Sequence, residues 1–166
     1  MGKTLNLASL DDTHQIADQL VTEYVPFLTE RPLVIGINGP LGAGKTTLTQ
    51  AIAAALDIAE PVTSPTYTYL EEYPFVFPGF KGMLYHLDAW RVDDQAVFDQ
   101  LKIGNLVRPG NLLVVEWHDQ VASWLEPTLV EQNARLIQVN LTEKDGCRQA
   151  TIEMCDYVHT SDNHAP

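Results

Sequence analysis

The feature that most constrains the fold is the octapeptide from Gly39 to Thr46, GPLGAGKT. It matches the phosphate-binding pattern G-x-x-x-x-G-K-[ST], in which backbone N–H groups of a glycine-rich turn surround phosphate oxygens. Lys45 supplies a positive charge, and the Thr46 hydroxyl can ligate Mg²⁺. The pattern is meaningful only where a strand precedes it and a helix follows.

Both flanks of the octapeptide have the required character. The apolar run at 33–38, LVIGIN, is short and rich in β-branched residues, which favours a buried strand. Downstream, apolar side chains recur at helical spacing at Leu48, Ile52, Ala55 and Leu56. The sequence therefore predicts a nucleoside triphosphate-binding loop, followed by a helix whose positive N-terminal end contributes to phosphate binding.

The composition limits the possible partners and compartment. A chain of 166 residues with 45% hydrophobic residues fits one ordinary domain, which we expect at 1–155, followed by a polar tail at 156–166. The net charge of −12, from 22 acids and 10 bases, argues against broad contact with nucleic acid. No run approaches the roughly 18 apolar residues of a membrane span, and the N-terminus lacks the apolar block of a secretion signal. We expect a cytoplasmic protein without membrane contact.

The first half of the chain predicts a helix, the loop strand and an extended segment. A helix is expected at 10–28, with Ser9 as N-cap and Asp12 completing a capping box. An extended segment at 67–73 is rich in aromatic residues and threonine, and the prolines and glycines at 74–82 predict a turn-rich region after it.

The second half predicts the rest of an α/β fold. Apolar runs at 83–88 and 112–116 predict strands, and a short helix is expected at 93–101. The runs at 136–141 and 149–155 read as a hairpin with Asp-Gly at its turn. The predicted fold is a three-layer α/β sandwich like that of phosphate-loop NTPases, with a mostly parallel sheet and antiparallel additions at the C-terminal end.

Two acids follow predicted buried strands. Asp88 ends the strand at 83–88, and Glu116 ends the strand at 112–116. Ligands of open α/β sheets bind beyond the carboxyl ends of the strands, so both carboxylates are expected beside the phosphates. Thr46 plus one carboxylate would suffice as protein ligands for Mg²⁺, and the second acid would position or deprotonate the attacking water. Spacing leaves open which acid takes which role.

Three other groups of residues carry weaker signals. Ser64-Pro65-Thr66 is either a loop that senses the γ-phosphate or a plain turn. A histidine within a strand is more often packed than catalytic, so we interpret His86 as structural. His118, just beyond Glu116, has a somewhat stronger claim because of its neighbours.

Four motifs together resemble one family, the TsaE (YjeE) ATPases, bacterial proteins of tRNA threonylcarbamoyladenosine biosynthesis. The similarity covers about 9–141. The motifs that carry it are GPLGAGKTT at 39–47, SPTYT at 64–68, HLD at 86–88 with Arg91, and VEW at 115–117.

The resemblance implies a small ATPase that uses ATP and Mg²⁺. Such a protein would support the TsaB and TsaD proteins in N6-threonylcarbamoylation of adenosine 37 in tRNAs. Its ATPase activity would be weak alone and stimulated by these partners. The tRNA would be contacted only indirectly, through the partners, which agrees with the acidic charge.

The resemblance also implies roles for individual residues. Lys45 and Asp88 would take part in hydrolysis, with Asp88 near the γ-phosphate, and Thr46 with Glu116 would ligate Mg²⁺. Ser9 and Thr13 would lie near adenine. Ser64, Thr66 and Trp117 would belong to segments that respond to nucleotide or partner. The nucleotide-contacting residues implied are Ser9, Thr13, Gly42, Ala43, Gly44, Lys45, Thr46, Thr47 and Thr66.

Two other functional classes stay open from the residues. A small-molecule kinase would need an acceptor pocket and usually an arginine-rich lid, whereas the five arginines of this chain, at 31, 91, 108, 135 and 148, do not cluster. A nucleotide-gated adaptor without catalysis is harder to exclude. A GTPase would normally carry an Asn-Lys-x-Asp guanine reader, which the sequence lacks.

Overall fold

The computed structural model describes residues 2–65 and 68–157, and the elements below are those of that part of the chain. The strands are β1 (Lys3–Asn6), β2 (Leu33–Asn38), β3 (Leu70–Phe77), β4 (Phe80–Asp88), β5 (Asn111–Glu116), β6 (Arg135–Lys144) and β7 (Cys147–Asp156). The helices are α1 (Leu10–Tyr24), α2 (Lys45–Ala55), α3 (Gln95–Gln100) and α4 (His118–Glu131). All seven strands form one sheet in the order β1-β7-β6-β2-β5-β4-β3.

The centre of the sheet is parallel and both of its edges are antiparallel. Strands β4, β5, β2 and β6 run in the same direction. Strands β7 and β1 add antiparallel pairs at one edge, as predicted for the C-terminal end, and β3 adds another at the opposite edge. The carboxyl ends of the four parallel strands therefore meet at one side of the sheet, immediately beside the phosphate loop.

Helices cover both faces of the sheet, which confirms the three-layer architecture. Side chains alternate between the faces along each strand. On β5, Val114 packs with α1 and α2 in one apolar cluster, whereas Leu113 and Val115 pack with α3 and α4 in the other. Each helix buries at least one apolar side chain against the sheet, and α1, α2 and α4 bury several, which is the usual way that such layers are held together. No helix in the described part of the chain has the length and apolarity needed to cross a membrane.

Several predicted boundaries were wrong. Helix α1 ends at Tyr24 and continues as a 3-10 turn over Val25–Phe27, which contains Pro26. Strand β3 passes through Pro74 to Phe77, although prolines and glycines predicted a turn-rich region over 74–82. An edge strand accepts proline because the nitrogen can face away from the ladder. The turn is limited to 78–79, where Gly79 has a φ of 98°.

Two local signals were confirmed. Ser9 caps α1, and its side chain and that of Asp12 form the predicted capping box. Asp145 and Gly146 form the two-residue turn between β6 and β7, with φ values of 54° and 75°. Positive φ at both positions is what a tight hairpin turn of this kind requires, and Asp-Gly is a preferred sequence for it.

Helix α4 begins with a buried histidine. His118 is 2% exposed, and a Cβ added at Gly36 would lie 2.6 Å from its Cγ, so β2 and α4 are in close contact here. Neither ring nitrogen has a hydrogen-bond partner within the described residues. Burial lowers the pKa of His118 from its ordinary value of 6.5, with a smaller opposing effect of Asp119. The folded chain therefore favours the neutral ring.

This environment predicts an acid-sensitive contribution to stability. This contribution to the free energy of unfolding is fully present above about pH 6.5, where His118 is neutral in the unfolded chain as well. It is lost as the pH falls below that value, because the unfolded chain then binds a proton more readily than the folded chain does. For the His118→Leu variant we expect the slope of the free energy of unfolding against pH to be smaller in that pH range, by up to about 1.4 kcal/mol per pH unit. Urea unfolding between pH 7.5 and 5 measures it. The substitution His14→Leu, on the exposed face of α1, is the control; an unchanged slope in His118→Leu would contradict the assignment.

Candidate nucleotide-binding site

The phosphate loop connects β2 to α2, as predicted. Gly44 precedes the first residue of α2 with a φ of 100°, a conformation that favours glycine. At Gly39 an added Cβ would lie 2.6 Å from the carbonyl oxygen of Leu141, so the loop packs directly against β6. The glycines at these two positions are therefore required by the backbone.

Lys45 is held by the loop itself. Its Nζ donates hydrogen bonds to the carbonyl oxygens of Gly39 and Pro40, both at 2.8 Å. The same atom lies 3.5 Å from the ring centroid of Trp117, within the range of a cation–π contact. Burial lowers the pKa of Lys45, and the charges of Glu116 and Asp88 partly oppose that effect. The ammonium group thus lies at the loop with two carboxylates near it.

The two strand-end acids lie side by side. Asp88 and Glu116 are register partners at the ends of β4 and β5. Glu116 is 2% exposed, and its Oε2 accepts a hydrogen bond of 2.8 Å from Thr46 Oγ1. Asp88 accepts one bond from Ser64 Oγ at 2.8 Å and another from the backbone nitrogen of Trp90 at 3.1 Å. Glu116 is therefore directed at the loop threonine, whereas Asp88 is hydrogen-bonded to Ser64 and Trp90, which line the same cavity.

These groups line one cavity of about 340 Å³, the phosphate cavity, named after the phosphate loop that borders it. It contains one ammonium group, Lys45, and two carboxylates, Asp88 and Glu116, so these three groups sum to a charge of −1 when ionised. The two carboxylates would repel a polyphosphate, and a further cation would offset that repulsion. The residues that line it are Leu41, Gly42, Gly44, Lys45, Thr46, Thr47, Ser64, Asp88, Trp90, Glu116 and Trp117.

A second cavity of about 560 Å³ adjoins the first, since Gly44 and Thr47 line both. It lies between the start of α1, the start of α2 and the turn between β6 and β7. Ser9, Thr13 and Ala43 line it, as does Arg148 of the hairpin. The Ser9 hydroxyl is engaged in the capping box, so Ser9 acts on this cavity by fixing where α1 begins.

Comparisons with known proteins identify the family of the chain. A family model described as "Threonylcarbamoyl adenosine biosynthesis protein TsaE" matches residues 7–150. The chain belongs to the TsaE family. A tRNA threonylcarbamoyladenosine biosynthesis protein TsaE from Aquifex aeolicus is 34% identical over 143 residues, which are 82% of this chain and 95% of that protein. One from Nostoc sp. is 38% identical over 126 residues, 72% of this chain and 68% of that protein.

A solved structure also resembles the chain. The crystal structure of Bacillus subtilis YdiB superposes with a TM-score of 0.63 at 21% identity, covering 94% of this chain and 86% of that one. At this identity the likeness concerns the fold. It agrees with the three-layer arrangement described above.

All but one of the residues to which the TsaE resemblance gives a role line the two adjoining cavities. Ser9, Thr13 and Ala43 line the larger cavity, and Gly44 and Thr47 line both. The smaller cavity contains the remaining residues named for phosphate, metal or hydrolysis, together with Ser64 and Trp117. Thr66, also named as a nucleotide contact, lies outside the described residues.

Sequence reasoning missed three residues at the site of this TsaE-family chain. The ring of Trp90 packs 4.3 Å from that of Trp117, measured between centroids, and lines the phosphate cavity. Thr49 and His86 are completely buried, and both contact Glu116. The sequence favoured a core or partner-surface position for Trp90 and a structural role for His86, and nothing in it singled out Thr49. The two-residue spacing of His86 from Asp88, which places both side chains on one face of a strand, was the available signal.

Proposed function

We propose that this chain binds ATP with Mg²⁺ and hydrolyses it in support of a TsaB–TsaD complex during threonylcarbamoylation of adenosine 37 in tRNA. Membership of the TsaE family places the chain in threonylcarbamoyladenosine biosynthesis. The observation that carries the finer proposal is the meeting of Lys45, Thr46, Glu116 and Asp88 in one cavity, next to a second cavity large enough for a nucleoside.

The donor set fits Mg²⁺. Thr46 Oγ1 and Glu116 Oε2 lie 2.8 Å apart at the edge of the phosphate cavity, and both are hard oxygen donors. Mg²⁺ usually takes only one or two protein oxygens and keeps waters and phosphate oxygens as its other ligands. Bound there, it would neutralise phosphate charge that the two carboxylates otherwise repel. Thr46 and Glu116 are therefore the proposed ligands.

Asp88 is the proposed hydrolysis residue. Ser64 Oγ and the Trp90 backbone nitrogen each donate one hydrogen bond to it. A carboxylate has about four acceptor sites, so Asp88 retains the capacity to accept a hydrogen bond from an attacking water. The two existing bonds fix its orientation towards the cavity. Lys45 would contribute by contacting the β- and γ-phosphates.

The net charge of the chain supports separate roles for this chain and its partners. A chain of net charge −12 has a poor electrostatic basis for gripping tRNA by itself. Partner proteins would hold the tRNA, and the ATP cycle of this chain would support their turnover.

The expected result of an assay is slow ATP hydrolysis by the chain alone that rises about tenfold or more when TsaB and TsaD are added, equivalent to about 1.4 kcal/mol in the barrier. Phosphate release with and without the purified pair measures it. TsaB alone and TsaD alone are the controls, because a proposal about the complex requires that both be needed.

Two outcomes would support the alternative classes instead. Rapid turnover with a small metabolite as phosphoryl acceptor, independent of the pair, would indicate a kinase. ATP binding without hydrolysis under every partner condition would indicate a nucleotide-gated adaptor.

A further inference from the structure

Glu116 is held by two buried side chains to which the proposed function gives no role. Its Oε1 lies 2.8 Å from His86 Nε2 and 3.0 Å from Thr49 Oγ1. His86 and Thr49 are both 0% exposed. The other oxygen, Oε2, contacts Thr46. One oxygen of the carboxylate thus faces the phosphate loop, and the other is hydrogen-bonded to buried side chains.

Strand and helix geometry explain why these side chains meet. His86 and Asp88 are two residues apart on β4, so they lie on the same face of the sheet. Val114, the register partner of His86, packs against α1 and α2, which places this face under α2. Thr46 and Thr49 are three residues apart on α2 and therefore lie on one side of that helix. Glu116 lies between the strand and the helix.

The direction of the hydrogen bonds is consistent with anchoring. All three neighbours offer a hydrogen, which is the pattern that a carboxylate accepts. With its ring hydrogen on Nε2, His86 donates to Glu116 Oε1, and its Nδ1 is buried without a partner among the described residues. The single hydrogen of Thr49 can reach Lys45 O at 3.2 Å or Glu116 Oε1 at 3.0 Å. A bond to a carboxylate is the stronger of these two.

We propose that His86 and Thr49 are positioning residues that hold Glu116 as a ligand for Mg²⁺. The inference rests on the proposed function. With the ion bound, Thr46 would share it with Glu116 and could not also be the group that orients the carboxylate. Among the hydrogen bonds of Glu116 described above, those from His86 and Thr49 would remain to hold it, and they use the oxygen that faces away from the loop.

The test compares nucleotide binding with and without metal. Calorimetry gives the Kd of a non-hydrolysable ATP analogue in EDTA and in saturating Mg²⁺, and the ratio of the two is the metal-dependent tightening. For His86→Leu we expect the Kd in EDTA to stay within about twofold of wild type while the tightening falls about tenfold or more, as for other residues that orient metal ligands. Thr49→Val, which keeps the shape of the side chain without the hydroxyl, should reduce the tightening less.

A rescue and a matched control make the result specific. His86→Gln retains an N–H that can reach Glu116 and should restore much of the tightening. His118→Leu makes the same replacement at the other buried histidine, whose ring nitrogens have no hydrogen-bond partner within the described residues. It should leave the tightening at the wild-type value. If His86→Leu does not fold, His86→Gln and Thr49→Val decide the question. We then expect Mg²⁺ to tighten nucleotide binding less in Thr49→Val than in His86→Gln.

The outcomes separate this inference from the proposed function. If wild type shows no tightening by Mg²⁺, the proposed metal-dependent binding fails and the positioning role with it. If Mg²⁺ tightens nucleotide binding by wild type, and tightens it by the same factor in His86→Leu and Thr49→Val, only the positioning role is overturned. The positioning role would also be overturned if His118→Leu lost as much of the Mg²⁺-dependent tightening as His86→Leu. A loss of affinity of the same size for His86→Leu in EDTA would overturn it as well.

Discussion

Replacing Asp88 with asparagine is expected to reduce ATP hydrolysis by about 100- to 10,000-fold, the usual contribution of a general base or acid. Binding of MgATP should change by no more than about twofold. Asparagine is the sharper replacement because its oxygen can still accept from the Trp90 backbone nitrogen, and its amide can donate to Ser64 Oγ. The variant therefore keeps both local contacts, with the bond to Ser64 reversed in direction, and removes the carboxylate charge.

The matched control is Asp94→Asn, six residues downstream. Asp94 is an exposed N-cap of α3 and accepts from the Val97 nitrogen at 2.9 Å, a role that asparagine also fills. It makes the same charge change outside the phosphate cavity and should hydrolyse ATP at the wild-type rate. Single-turnover hydrolysis and calorimetry together separate chemistry from binding. If Asp88→Asn binds MgATP far more weakly but hydrolyses what it binds at the normal rate, Asp88 belongs to the binding site and the proposed division of roles fails.

The parts of the fold that could be predicted from the sequence are those with strong local signals. Strand β2 and helix α2 were predicted because an apolar run, a glycine-rich turn and a helical repeat follow one another. Strand β1 was missed because none of its four residues is buried, and only its pairing with β7 makes it a strand. Helix α4 was missed as well: it begins at His118, after Trp117, whose φ is 58° and whose side chain makes no cap hydrogen bond, and it contains Pro127, so neither a cap nor a clean periodicity marks it.

The same distinction applies to the candidate site. Asp88 and Glu116 could be found because the carboxyl ends of parallel strands meet at one edge of a sheet, whichever order the strands take. The contacts of Thr49 and His86 with Glu116 could not, because they depend on the β4–β5 register and on which side of α2 faces the sheet. The larger cavity is completed by Arg148 and the β6–β7 turn, about 100 residues from the phosphate loop in the chain, and only the tertiary fold brings these parts together.

Replacing Lys45 with alanine is the second change with a large expected effect. Among the residues that line the phosphate cavity, Lys45 carries the positive charge, and Asp88 and Glu116 carry carboxylates. A hydrogen bond to a charged group contributes about 1.5–3 kcal/mol, so we expect MgATP binding to weaken about tenfold to a hundredfold. Calorimetry measures it. Lys81→Ala, an exposed lysine near the amino end of β4 and thus at the opposite end of the sheet, is the control.

A second ligand locates the effect within the site. In phosphate loops of this pattern the lysine reaches the β- and γ-phosphates, whereas AMP would place its base in the larger cavity and has neither of those groups. Lys45→Ala should therefore weaken ATP binding strongly and AMP binding by less than about twofold. Equal weakening of both would mean that the substitution collapses the loop, because Lys45 also binds the carbonyl oxygens of Gly39 and Pro40. Unchanged ATP affinity would mean that the ammonium group stays on those carbonyls and on the Trp117 ring when nucleotide binds, and the phosphate-contacting role of Lys45 would be wrong.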